Sequence, residues 1–91
     1  MNLSIVSPEA IIFKGEVESI TLPGTLGFFQ ILNNHTSLVS TLVAGKVKIQ
    51  GKINLDELNK KKFEYKQGFT YLNIISGVVE VLNNRVTVLT D

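Results

Sequence analysis

The sequence predicts an all-β protein, a sandwich or barrel of short strands, on three observations. Stretches such as Lys46-Val47-Lys48-Ile49-Gln50 alternate polar and apolar residues, which marks a strand with one buried face. Gly, Pro and Asn interrupt these stretches at short intervals, as turns between many short strands do. The last of these turns, Asn83-Asn84, fixes a hairpin register that agrees with the hydrophobic pattern on both sides of it.

The elements follow in chain order. Leu3 and Ile5 form one face of a first strand, stopped by Ser7-Pro8, where proline lacks the amide a ladder needs. Ser19-Ile20-Thr21-Leu22 alternates and is expected to end at Pro23-Gly24. Val17-Glu18 falls out of that alternation, in the manner of a bulge near Gly15. In Leu26-Gly27-Phe28-Phe29 two aromatics are adjacent, and neighbours in a strand point to opposite faces, so one of them should emerge at the surface.

Gly51 to Lys66 behaves differently. Asn54-Leu55-Asp56-Glu57 carries an N-cap residue with Glu three positions on, so one short helical turn is expected near 54–60, with Leu55 and Leu58 on one side. The segment reads as a surface excursion between two strands. Phe63-Glu64-Tyr65-Lys66 resumes alternation, and Gln67-Gly68 turns into Phe69-Thr70-Tyr71-Leu72. In the closing hairpin, Asn83 and Asn84 supply two positive-φ positions. Val81 then opposes Val86, Val79 opposes Val88, and Glu80 opposes Thr87 on the other face. On φ grounds alone, Asn84→Gly should be tolerated or mildly stabilising.

Composition narrows the function. Ninety-one residues make a single domain, 1–91, with a modest core, since a chain this size buries only roughly 60–70% of its unfolded surface. A net charge of +1 gives no global field to steer the chain toward nucleic acid or an anionic membrane. With no cysteine, disulfide scaffolds and Cys-based metal sites are excluded. No apolar run approaches the roughly 20 residues that span a bilayer. Together with an N-terminus lacking a secretory pattern, this sets the expectation of a cytosolic chain without membrane insertion. The only histidine, His35, has Ser37 and Ser40 nearby but no evident orienting acid, so a nucleophilic triad is not supported. Gly24-Thr25-Leu26-Gly27 has no lysine and no helix pattern after it, so it is not a phosphate loop. The reading is a non-enzyme with no cofactor and no metal. Lys60-Lys61-Lys62, with Lys66 nearby and Glu57 and Glu64 beside them, reads as a solvated face rather than a nucleic-acid site.

The stretch from Gly15 to Ile49 carries a resemblance. Gly24 and Gly27, the run Asn33-Asn34-His35-Thr36-Ser37-Leu38, and Gly45 stand in order where the epsilon subunit of bacterial F-type ATP synthases has a glycine-bearing loop, a Pro-Gly-His-Ala-Pro-Leu segment and a strand-opening glycine. Ile5 to Glu18 is similar to that family's opening strand, Ser-Pro-Glu turn and Phe-x-Gly corner. Ser76 to Asp91 is similar to its closing hairpin. Only about Gln50 to Lys66 lacks a counterpart. The resemblance implies a flattened two-sheet sandwich of about ten strands. It implies a non-catalytic stalk subunit of a proton-translocating synthase, joining the gamma subunit to the membrane ring of c subunits on the cytoplasmic side of a bacterial membrane. It also implies a gamma contact at Ser7, His35, Thr36, Ser37 and Leu38, with Ser7 and the His35 segment at neighbouring corners. His35 has a second reading, a half-buried residue bonded to neighbouring backbone. A ring contact is implied at Thr25, Leu26, Gly27, Phe28 and Phe29. Leu26 and Phe28 stand where acids are common in the family and Gln30 where glycine is usual, so this contact should be apolar and weakly salt-dependent. Most members continue into a helical hairpin; here the expectation is the sandwich alone. The alternative is a free-standing β-sandwich module binding a peptide or RNA.

Overall fold

A computed structural model describes residues 1–91. The chain forms ten strands: β1 (Asn2–Val6), β2 (Ile11–Glu16), β3 (Ser19–Gly24), β4 (Gly27–Leu32), β5 (Leu38–Leu42), β6 (Gly45–Gln50), β7 (Phe63–Lys66), β8 (Phe69–Ile74), β9 (Gly77–Leu82) and β10 (Arg85–Thr90). They form two layers. One runs β2-β1-β10-β9-β5 and the other β4-β3-β6-β8-β7. The layers meet along one seam, where Gly24 pairs with Leu42 and the Val43 amide donates to the Pro23 carbonyl at 2.9 Å. The fold is therefore one sheet curled over itself into a sandwich.

Alternation decides which side chains fill the space between the layers. Leu3, Ile5, Val79, Val81, Val86 and Val88 face in from the first layer; Ile20, Leu22, Ile31, Val47, Ile49, Leu72 and Ile74 face in from the second. All belong to one continuous core. The closing hairpin has the expected register, with Val81 opposite Val86, Val79 opposite Val88 and Glu80 opposite Thr87. Asn83 and Asn84 take φ of 50° and 61° in its turn. β10 pairs on its other side with β1, in parallel, so the first and last strands are neighbours while the two chain termini lie at opposite ends of that pair.

Four local readings are corrected. β3 does not stop before Pro23 but runs through it to Gly24. Pro23 fits there because it sits opposite Phe28 and directs its carbonyl away from β4, toward Val43, so its missing amide breaks no β3–β4 bond. The irregularity in β2 lies at Ile12, between the Ile5–Phe13 and Val6–Ile11 pairs, not near Gly15. That extra residue lets the consecutive Ile12 and Phe13 both be buried. The helical turn falls later than 54–60, as a 3₁₀ turn over Lys60–Lys62. Its organising residue is Asp56, whose carboxylate accepts from the Asn59 amide at 2.8 Å and from Asn59 Nδ2 at 3.2 Å. Leu55 packs against the core while Leu58 is 89% exposed, so the two do not share a face.

Nor does the excursion only cover the surface. Ile53 and Leu55 pack on the core, and the buried Asn59 donates to the Ile11 carbonyl of β2 at 3.4 Å. It thereby ties the β7 side of one layer to the β2 margin of the other, away from the seam.

Candidate functional site

The His35 segment leaves the end of β4 in a turn closed by the His35 amide, which donates to the Leu32 carbonyl at 3.2 Å, with Asn34 at φ 61°. This turn is fastened to the closing hairpin. Asn84 Oδ1 accepts from the Asn34 amide at 2.7 Å, and Asn84 Nδ2 donates to Asn33 Oδ1 at 2.9 Å. The Asn84 carbonyl in turn accepts from the Asn2 amide at 3.1 Å. Two double-asparagine turns, fifty residues apart in the chain, thus hold each other. The half-buried His35 donates from Nδ1 to the Thr36 carbonyl at 2.8 Å, the backbone bond that its second reading calls for. That bond leaves Nε2 with no partner inside the chain.

Thr36 and Ser37 are exposed, whereas Leu38 turns inward against the core, opposite Val81. The apolar side chain that β5 presents outward is Val39, which is 70% exposed. Strict alternation from Leu38 would have singled it out. Ser7 closes the turn after β1, its amide donating to the Ala10 carbonyl at 2.9 Å and its hydroxyl to the same oxygen at 3.3 Å. It does not lie at a corner neighbouring the His35 segment. Leu38 is level with Val81, Val86 and Leu3, while Ser7 follows Val6, four residues farther along β1. That is about 13 Å along the strands.

Beside Ser7, at the level of Val6, the outer face of the first layer carries an apolar row that the linear sequence conceals. Ile11, Val6, Leu89 and Val78 stand side by side on β2, β1, β10 and β9, and Thr41 continues the row on β5. Ile11, Leu89 and Val78 are exposed. Grouped apolar residues of this kind on a small domain mark contact surfaces.

The other candidate surface lies on the second layer. Only Thr25 and Leu26 form the turn between β3 and β4; Gly27, Phe28 and Phe29 already belong to β4. Gly27 has φ 118°, a region L residues avoid. The two phenylalanines part as alternation requires: Phe29 packs on the core, and Phe28 is 68% exposed. Gly24 is needed for packing rather than bending, because a Cβ there would stand 2.9 Å from the Phe29 ring. Phe28 shares a shallow hollow with Thr21, Gly45, Lys46, Lys48 and Tyr71. Lys48 Nζ lies 4.0 Å from the centre of the Phe69 ring, and Lys46 pairs with Glu64 at 3.4 Å. These lysines, which alternation identifies only as the polar side of β6, make this face mildly cationic.

Nowhere do three His, Asp or Glu side chains gather as a metal site would need. No helix is long and apolar enough to cross a membrane.

Comparison with known proteins gives a consistent result. Residues 1–91 match the family described as ATP synthase, Delta/Epsilon chain, beta-sandwich domain. The chain is 38% identical over 91 residues to an ATP synthase epsilon chain of Leptospira borgpetersenii, covering 100% of this chain but 61% of that relative's length. It is 33% identical to an ATP synthase epsilon chain of Chlorobaculum tepidum, covering 99% of this chain and 88% of the relative. Its fold is similar to that of a chain in the central stalk and c-ring structure of the Tetrahymena thermophila mitochondrial ATP synthase, with a TM-score of 0.74 and 15% identity over 98% of this chain and 61% of that one.

Proposed function

The chain belongs to the delta/epsilon β-sandwich family of ATP synthase, and from that premise we propose that it serves as a non-catalytic epsilon part of the central stalk. In this role it fixes the gamma subunit onto the c-ring of a proton-driven bacterial synthase, on the cytoplasmic side of the membrane. The observation that carries the proposal is the division of exposed apolar surface between the two layers. The row of Ile11, Val6, Leu89 and Val78, with Val39 beyond it, lies on one layer, and Phe28 projects from the other. A part that joins two partners needs two such surfaces.

Gamma is assigned to the first layer. Ser7 adjoins the row beside Val6, whereas the segment His35, Thr36, Ser37 lies past Val39, about 13 Å or more along the strands from Thr41, so one partner lying aslant over this layer reaches both. Val39 joins this contact, and Leu38 supports it from beneath. The ring is assigned to the β3–β4 hairpin, Thr25 to Phe29, with Leu26 and Phe28 as its apolar contacts.

The test is capture of the detergent-solubilised synthase by the 91-residue chain, with Val39→Asp and Phe28→Ala as variants. Both variants should stay folded and lose capture. Failure of the wild-type chain to capture the synthase would sink the proposal. The competing reading, an RNA-binding module, draws on Phe69 and Tyr71 beside Lys46 and Lys48, since aromatic and basic residues on a sheet can stack and hold bases. Against it, Lys48 already occupies the Phe69 ring face that a base would need. An oligonucleotide shift assay with a salt titration decides that question.

A further inference from the structure

Three strands have one edge free along their whole length, β2, β7 and β4, while β5 meets β3 only at Leu42. Two of them are protected in the ways that keep strand edges from pairing. β7 is four residues long and carries Glu64 and Lys66. β2 is bulged at Ile12 and carries Lys14 and Glu16. β4 has no such protection. Its six residues, Gly27-Phe28-Phe29-Gln30-Ile31-Leu32, include no charge and no proline, and its register with β3 is unbroken.

The direction of its backbone groups follows from Pro23. That residue opposes Phe28 yet sends its carbonyl to Val43, so the Pro23–Phe28 position exchanges no bonds between β3 and β4. Bonding positions alternate along an antiparallel pair. Phe29 and Ile31 therefore bond back to β3, while Phe28, Gln30 and Leu32 direct their backbone groups off the edge. Leu32 has its carbonyl engaged by His35, which leaves its amide free.

We propose that this edge pairs with itself, joining two copies of the chain β4 to β4, antiparallel and centred on Gln30. The strand is self-complementary about that residue, which is why a second copy is the partner the geometry favours. On the outer face Phe28, 68% exposed, meets the second copy's Leu32, 54% exposed. On the inner face Phe29 stands level with Ile31, which the core already buries, so the new apolar contact comes from the outer face. The two Gln30 residues face each other across a two-fold axis and exchange backbone bonds, and each Leu32 amide reaches the opposite Phe28 carbonyl. Such a contact is isologous and closes at two copies. It merges the two β4-bearing layers into one continuous sheet. The inference stands apart from the stalk role, since it concerns the free chain.

Sedimentation equilibrium on the 91-residue chain tests it. The wild type should show a concentration-dependent doubling of mass. Gln30→Lys and Gln30→Glu, each placing like charges opposite each other, should be monomeric alone and should recover the doubled mass when mixed. Amide exchange on the wild type gives a reading that needs no variant: protection at Gln30 and Leu32 should rise with protein concentration. A wild type that stays monomeric into the millimolar range, a Gln30→Lys variant that associates as the wild type does, a mixture that stays monomeric, or protection independent of concentration would each overturn the proposal.

Discussion

At Asn84 two requirements fall on one residue. Its φ of 61° suits glycine, but its side chain also fastens the Asn33-Asn34 turn through bonds of 2.7 and 2.9 Å. The expectation that Asn84→Gly is neutral or stabilising is therefore reversed. Glycine keeps the backbone and loses both bonds, which should cost about 1 to 2 kcal/mol in chemical denaturation. Asn83→Gly, which gives up no bond of this kind, should be near neutral. Gly27 poses the opposite case: a Cβ there meets open space, yet φ is 118°. Gly27→Ala should still destabilise, by about 1 kcal/mol, through backbone conformation alone. Asp91 offers a titration. Its carboxylate accepts from the Ile75 amide at 3.0 Å, the Ser76 amide at 3.1 Å and the Thr90 hydroxyl at 2.9 Å, which hold its pKa at about 2 against an ordinary 3.8. A depressed carboxylate pKa means the contribution is full above about pH 4 and is lost as pH falls through about 2. In a pH series followed by NMR, the Ile75 and Ser76 amides should move together near pH 2, not near pH 4.

Among the elements, those whose partners are close in sequence were legible, and those whose partners are distant were not. The β9–β10 hairpin could be paired residue by residue because its turn and its valines point to one register. The parallel β1–β10 pair could not, since nothing local in Leu3-Ser4-Ile5 indicates which strand lies alongside it. The same holds for the clasp between the two asparagine turns, although a repeated Asn-Asn pair was a visible clue. In the excursion, the capping pattern at Asn54 misled because Asp56, two residues on, has the carboxylate that reaches the Asn59 amide. On the candidate surfaces, the residue types were readable but the side on which each lies was not, as Leu38 and Val39 show. The β3–β4 hairpin yields a test at this scale. Phe28→Ala should leave the melting temperature nearly unchanged, while Phe29→Ala should cost about 2 kcal/mol or more, because only Phe29 packs on the core. If Phe28 makes the ring contact, its loss should weaken ring association with little dependence on salt. A salt titration that abolishes wild-type binding would instead assign the contact to Lys46 and Lys48.

For the whole molecule, the stalk role carries an expectation about nucleotides: calorimetry of the 91-residue chain should give no heat of ATP binding, and micromolar affinity would contradict it. The architecture has a further consequence, of a mechanical kind. A sheet folded over once, like a sheet of paper, lets its halves slide past each other unless its open side is also fixed. Here the fold line is the Gly24–Leu42 seam, and the far side is fixed by Asn59, which reaches Ile11 across the gap. Bound along both sides, the two layers form a closed section, and a closed section resists twisting far better than an open one. A part gripped on one layer by a turning shaft and on the other by a ring would be loaded in that sense, so the excursion contributes torsional stiffness. Cutting the chain within 51–62 should accordingly soften the sandwich under sideways load more than it lowers its resistance to heat.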